Sequence, residues 1–138
     1  MKDIRTNTFT VQAGRQVTVY TIGGFVICGK VHDTRGADIV FTEWREVCKE
    51  RTRRGTLVVN SQFIDGIAVA TLKTFEPRQS LIVYTLGGFV FSGKEVDNFP
   101  DGNLVLIDFS EAHVDRVFHN CTLNISRENI VATGRGDM

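Results

Sequence analysis

An internal repeat constrains the fold of this chain more than any other feature. Residues 17–33 (VTVYTIGGFVICGKVHD) return as residues 81–97 (LIVYTLGGFVFSGKEVD), with a constant offset of 64 and ten identical positions out of seventeen. The duplication divides 138 residues into two units of roughly 65, close to the smallest size that supports its own hydrophobic core. Two such units should therefore need each other or a partner chain.

Each copy of the repeat has the pattern of a β-hairpin. Apolar, β-branched and aromatic runs flank Gly23-Gly24 and Gly87-Gly88, and paired glycines suit tight hairpin turns because such turns need positive φ. A two-residue turn would place Tyr20 opposite Ile27. Both faces of these strands are largely apolar. This pattern favours a curved sheet whose concave face is packed with side chains over a flat sheet with one solvent-exposed face.

Gly29 and Gly93 lie in the middle of the second strand of each repeat, where a glycine indicates a sharp bend or a close backbone approach. Further strand-like runs follow in the same order in both halves, and no segment shows a helical period. The sequence predicts third strands at 37–44 and 103–109, fourth strands at 56–60 and 118–125, and fifth strands at 67–71 and 130–133. We therefore expect an all-β protein of two strongly bent, antiparallel, five-stranded units.

Two motifs resemble a known family. Gly24-Phe-Val-Ile-Cys-Gly29 and Gly88-Phe-Val-Phe-Ser-Gly93, each followed by an aspartate, are similar to the first motif of the Sm, Sm-like (LSm) and Hfq proteins, and residues 125–131 are similar to the second. The resemblance implies two tandem Sm-like (SH3-like) barrels. The first would cover 1–76, including an N-terminal extension, and the second 77–138.

The same resemblance implies single-stranded RNA binding in pockets formed by the loop after the second strand and the loop between the last two strands. Bases stack there on planar side chains, while polar or basic groups hold base edges and phosphates. Ser61-Gln62 replaces the basic pair of the family, only Arg127 keeps the charge in the second repeat, and Asn103 has no clear counterpart in the first. The candidate RNA-binding residues are Thr34, Arg35, Ser61, Gln62, Asn98, Phe99, Asn103 and Arg127.

A basic run between the third and fourth strands of the first repeat is a second candidate surface for phosphates. It comprises Lys49, Arg51, Arg53 and Arg54, and the alternative is a solubilising loop tip partly balanced by nearby glutamates. The chain has no net charge, but residues 1–76 carry +3 and residues 77–138 carry −3. Attraction to a polyanion is thus expected to be local. The matched aromatic pairs Tyr20 with Tyr84 and Phe25 with Phe89 favour core positions over stacking platforms.

Self-association is implied by the family, whose members join the fourth strand of one barrel to the fifth strand of the next and close rings. Physical chemistry gives the same expectation, because an exposed strand edge leaves backbone hydrogen-bonding groups unpaired and therefore needs a partner or a cover. With two units per chain, a closed ring of identical chains has an even number of units, so we expect three chains as a pseudo-hexamer. The alternatives are a ring with another even number of units and a closed dimer of chains.

Other function classes have less support. The sequence has no catalytic motif, no membrane-length apolar run and no regular metal-ligand spacing, so we expect no enzyme, no cofactor, no metal site, no membrane partner and a cytoplasmic location with reduced cysteines. Two functions remain: an RNA-binding ring, and an oligomeric structural or scaffolding protein, for example in a viral assembly, that binds no nucleic acid.

Overall fold

The computed structural model describes residues 9, 11–36, 38–47, 51–71, 75–96, 103–112, 114 and 116–135. Two 3-10 turns, at Ser61–Phe63 and Arg127–Asn129, separate the last two strands of each repeat. The strands are β1 (Gln16–Thr21), β2 (Val26–Arg35), β3 (Asp38–Glu46), β4 (Arg53–Val59), β5 (Ile64–Ala70), β6 (Ser80–Thr85), β7 (Val90–Glu95), β8 (Leu104–Glu111), β9 (Phe118–Ile125) and β10 (Ile130–Arg135).

These strands form one antiparallel sheet in the order β10-β6-β7-β8-β9-β5-β1-β2-β3-β4. The all-β prediction is confirmed. Each repeat contributes its own strands in the same order, fifth, first, second, third and fourth, and the fourth strand of the second repeat pairs with the fifth strand of the first. Among the described residues the sheet does not close on itself, and β10 and β4 are its two ends. The finer description as two Sm-like barrels stays a prediction.

The prediction of a two-residue hairpin turn is wrong. Tyr20 lies opposite Val26 rather than Ile27, because the last hydrogen bond joins residues 21 and 25 and leaves residues 22–24 as the loop. Gly24 has a φ of +85°. A three-residue loop that ends in this left-handed conformation shifts the strand pairing by one residue relative to a two-residue turn. The second repeat does the same, with a φ of +87° at residue 88.

Gly29 lies where the second strand passes closest to the third. A β-carbon there would come within 2.7 Å of the Glu43 carbonyl oxygen and 2.9 Å of the Phe41 ring, and the register of β2 with β3 shifts directly after Gly29. Gly93 meets the carbonyl oxygen of Ile107 at 3.0 Å in the same way. The close backbone approach predicted from these glycines is confirmed.

The later strands of the first repeat begin earlier than the sequence predicts, whereas those of the second repeat begin at the predicted residues 118 and 130. The first repeat's fourth strand begins at residue 53 instead of 56 and its fifth at residue 64 instead of 67. A single 3-10 turn therefore replaces the longer loop expected between them. Such short turns carry no helical period in the sequence, which explains why they were not predicted.

The buried side chains form two clusters, one for each repeat. The first contains Val19, Phe41 and Ile67, and the second contains Phe91 and Leu123 among others. Tyr20 belongs to the second cluster although it lies on β1 of the first repeat. The two repeats therefore share buried surface at the β5–β9 pairing as well as backbone hydrogen bonds.

Candidate nucleic-acid interface and open strand edges

The polar turn of the first repeat joins the ends of two hairpins. The Ser61 N–H donates to Asp38 Oδ1 at 2.9 Å, and Asp38 lies opposite Arg35 across the β2–β3 pairing. Ser61 is buried, while Thr34, Arg35 and Gln62 are exposed. The structure thus brings together all four candidates of this repeat and leaves three of their side chains accessible to a ligand.

The second repeat has the same arrangement. Leu104 lies opposite Ile125, which places Asn103 and Arg127 just beyond the same end of the β8–β9 pairing. Asn103 is buried and Arg127 is exposed. Because β3 and β4 begin their pairing in the same way, with Ile39 opposite Val59, Asp38 holds the position of Asn103. The sequence reading missed this counterpart, and an offset of 65 between the third strands would have found it.

The two polar turns are neighbours. Asn129, the last residue of the second 3-10 turn, donates from Nδ2 to the Ile64 carbonyl oxygen at 3.1 Å, and Ile64 directly follows the first turn. The Ser126 N–H donates to the Asp65 carbonyl oxygen at 2.9 Å next to it. The candidate residues of the two repeats therefore lie along one rim of the sheet.

The basic run lies elsewhere. Arg53 and Arg54 are exposed and lie opposite Trp44 and Glu43, and Arg54 Nε is 3.8 Å from a Glu43 carboxylate oxygen. Trp44 lies six positions along β3 from Asp38, which is roughly 20 Å along an extended strand. Arg51 is exposed as well. The basic run and the polar turns are thus separate surfaces, and Lys49, Asn98 and Phe99 lie outside the described residues.

A buried carboxylate sits at the junction between the repeats. Asp65 is fully buried, and its Oδ2 accepts the Gly87 N–H at 2.8 Å. Burial raises the pKa of Asp65, and hydrogen bonds with the Thr85 side chain, the Gly87 N–H and the Asn129 side chain partly oppose that rise. The carboxylate fixes the β6–β7 loop of the second repeat against β5 of the first.

Aromatic side chains complete the junction. The Tyr20 ring lies edge-on to Phe89 and Phe91, with centroid distances of 5.2 and 4.9 Å, and burial raises the pKa of Tyr20. The core prediction is confirmed for Tyr20 and Phe89 but wrong for their matched partners, since Phe25 is 59% and Tyr84 46% exposed. Phe25 and Tyr84 lie toward the two ends of the sheet, where no further repeat covers them.

An apolar groove of about 480 Å³ runs beside the open strand β4. Phe25, Ile27, Leu57, Val59 and Phe63 line it, together with polar groups at its margins. At the other end of the sheet, Leu86 and Val131 are exposed beside Tyr84. Both ends of the sheet thus combine exposed apolar side chains with a strand edge that none of the described residues pairs with.

Comparisons with protein-family models, with curated proteins and with solved structures found no match to this chain. Within the described part of the chain, no helix is both long and apolar enough to cross a bilayer. The same residues contain no group of three or more His, Cys, Asp or Glu side chains arranged to hold a metal ion. The site is therefore interpreted from its own geometry.

Proposed function

We propose that this protein is an Sm-like, single-stranded RNA-binding protein whose binding surface is the rim formed by the two polar turns. The contact between Asn129 and Ile64 carries the proposal, because it sets two equivalent turns side by side. A single strand is an extended ligand, and successive nucleotides can occupy successive equivalent turns.

The side chains on this rim suit such a ligand. Arg35 and Arg127 are exposed on the two repeats, one on each, and an arginine can pair with a phosphate or stack on a base. Thr34 and Gln62 add hydrogen-bonding groups that are also exposed. The turn of the first repeat is already ordered by Asp38, which reduces the entropic cost of binding.

A fluorescence-anisotropy titration with short oligo-U and oligo-A RNA tests this function. We expect saturable binding that differs between the two bases and persists at physiological salt, because edge and stacking contacts are less sensitive to salt than phosphate contacts. Binding that is absent, or that occurs only at low salt, contradicts the proposal.

Assembly is part of the same proposal. Among the described residues, β4 and β10 are the end strands of the sheet and each has one open edge, and open edges are normally covered or paired. Each chain brings two repeats, so three chains would close a ring of six, the count that the family resemblance favours. In such a ring the polar turns of all repeats would lie along a common rim.

An oligomeric scaffold without nucleic-acid binding is the second candidate. The exposed apolar groups Phe25, Phe63, Tyr84, Leu86 and Val131 at the ends of the sheet favour it, as does the zero net charge. A protein that assembles but fails the RNA titration at physiological salt would fit this candidate and not the first.

A further inference from the structure

We infer that the first repeat carries a separate ligand site, a cavity beside Gly29 that binds a nucleoside phosphate through Trp44, Lys30 and Arg45. The base stacks on the indole ring, and the phosphate pairs with the two side-chain cations. The inference goes beyond the proposed function, because none of the residues that line this cavity belongs to the polar turns, to β4 or to β10.

The cavity measures about 610 Å³, which is within the range of small-molecule sites. Residues at the start of β1, along β2 and at the end of β3 form its walls. Trp44 is half-buried and packs on the first core with part of its surface, and it also lines the cavity. Lys30, His32 and Arg45 line the cavity as well, and all three are exposed. The cavity thus combines a large aromatic wall with basic side chains.

The charges of the cavity favour an anion. Arg45 lies opposite Cys28 across the β2–β3 pairing, and Lys30 is two residues further along β2. Since alternate residues of a strand face the same side of the sheet, the two cations lie on one side. Glu43 is the acidic residue of the walls, and Arg54 Nε lies 3.8 Å from its carboxylate and offsets part of its charge. An excess of positive charge therefore remains for a phosphate.

The second repeat shows a planar ring stacked at the position of the indole. Phe109 is 1% exposed and lies opposite Phe118 as Trp44 lies opposite Arg53. The two phenyl rings stack with a centroid distance of 5.1 Å, and Arg116 Cζ lies 4.7 Å from the centroid of the Phe118 ring. The first repeat has an arginine in place of the second ring, and its indole keeps surface in the cavity. A planar ring of a ligand can stack on that surface.

The polar walls differ between the repeats in the same sense. Ser110 takes the place of Arg45, and its hydroxyl oxygen lies 3.1 Å from that of Ser92. Val96 takes the place of His32 and is 3% exposed. These positions of the second repeat are thus neutral and either buried or hydrogen-bonded within the repeat. The first repeat, by contrast, combines added charge and exposed aromatic surface at one place.

A nucleoside phosphate matches both features. Its base is a planar ring that stacks on aromatic side chains, and its phosphate accepts charge-assisted hydrogen bonds from lysine and arginine. An anion without a ring would leave the indole uncovered, and an uncharged aromatic would make no use of Lys30 and Arg45. Free nucleotides and the 5′-phosphorylated end of an RNA share this chemistry.

Tryptophan fluorescence tests the inference, because Trp44 is the only tryptophan of the chain and the signal therefore reports this cavity. AMP is the probe. Adenosine lacks the phosphate, and ribose 5-phosphate, used as a competitor of AMP, lacks the base. We expect saturable quenching by AMP and dissociation constants at least roughly tenfold higher for each truncated ligand.

Lys30→Gln and Lys94→Gln are matched variants, since the two lysines hold equivalent exposed positions in the two repeats. Lys30→Gln should raise the dissociation constant of AMP about tenfold and leave that of adenosine unchanged. Lys94→Gln should bind AMP like the wild type. Thermal unfolding shows whether each variant is folded, and Arg45→Gln replaces Lys30→Gln if the latter is not.

Three results overturn the inference: no saturable quenching by millimolar AMP, truncated ligands that bind as tightly as AMP, or equal effects of the two lysine variants. Where AMP binds, a 5′-phosphorylated oligo-A that binds more tightly assigns the cavity to an RNA end, and one that binds no more tightly assigns it to a free nucleotide. The oligo-U titration of the rim uses RNA without a 5′-phosphate. AMP binding without oligo-U binding therefore overturns the RNA proposal alone.

Discussion

Asp65 and Gly87 belong to different repeats, and the Asp65 carboxylate accepts the Gly87 N–H at 2.8 Å in a fully buried position. This contact crosses the β5–β9 junction and fixes a hairpin loop of one repeat to a strand of the other. The equivalent residue of the second repeat is Val131, which has no carboxylate to offer. The duplication has therefore produced two similar repeats with different edges.

The buried carboxylate predicts a specific pH dependence. Because burial raises the pKa of Asp65 above the ordinary value of 3.8, the unfolded chain releases this proton first as pH rises, and the contribution of Asp65 to stability falls from that value upward. Asp65→Asn keeps an oxygen acceptor for Gly87 and removes the charge. The melting temperature of the variant, compared with the wild type, should therefore improve as the pH rises above 3.8 and level off once the folded-state carboxyl group has lost its proton.

Asp33→Asn is the control for this experiment, since Asp33 is an exposed aspartate on β2. Melting curves of all three proteins are recorded at one protein concentration, so that association does not differ between samples. A difference between Asp65→Asn and the wild type that is constant with pH, or that shrinks as pH rises, would show that Asp65 is not a desolvated carboxylate.

Gly29→Ala should destabilise the first repeat by about 1–3 kcal/mol. The new methyl group would meet the Glu43 carbonyl oxygen at 2.7 Å and the Phe41 ring at 2.9 Å, both in tightly packed surroundings. Gly134→Ala is the matched control at a protein concentration where the chains are not associated, because a β-carbon there has nothing within 4 Å in the single chain. Equal denaturation midpoints for the two variants would argue against close packing of β2 on β3.

The two matched tyrosines should behave oppositely. Tyr20 is 6% exposed and packs on Phe89 and Phe91, so Tyr20→Ala should cost about 3 kcal/mol of folding free energy. Tyr84 is 46% exposed, so Tyr84→Ala should leave the stability of a single chain nearly unchanged and weaken association. Denaturant unfolding at low protein concentration and sedimentation at high concentration separate the two effects. A large folding defect in Tyr84→Ala would contradict this assignment.

The RNA surface is tested by two double variants of equal charge. Arg35→Gln with Arg127→Gln alters the polar turns, and Arg53→Gln with Arg54→Gln alters the basic run. If the turns bind RNA, the first variant should lose affinity and lower the log–log salt slope by about 0.7 for each lost phosphate contact. The second should bind like the wild type. The reverse result would move the binding surface to the basic run.

The strand content of the fold was predictable from the repeat. The apolar, β-branched and aromatic runs and the glycines of the hairpins and second strands predicted the positions of most strands, and Gly29 lies where the close approach of the backbone leaves no room for a side chain. The hairpin register was predicted wrongly because a Gly-Gly pair is compatible with both a two-residue and a three-residue loop. Only the conformation of Gly24, with φ at +85°, distinguishes a three-residue loop from a two-residue one.

The functional surfaces were predictable only in part. The grouping of Arg35 with Ser61 was implied by the family resemblance, and Asp38 connects the two in the structure, opposite Arg35 and hydrogen-bonded to the Ser61 N–H. The exposure of Phe25 and Tyr84 was not predictable from composition, because their equivalents Phe89 and Tyr20 are buried. The exposure of each side chain depends on its position relative to the ends of the sheet. That position is set by how the repeats pair and not by the residue type.

Sedimentation velocity of the wild-type protein with fluorescently labelled oligo-U, at physiological salt, tests the central claim most directly. Detection of both protein and label reports assembly and binding in the same sample. We predict that the label sediments with a protein species of three times the chain mass of 15.4 kDa. Label that sediments as free RNA, beside a protein at the mass of one chain, would contradict the account.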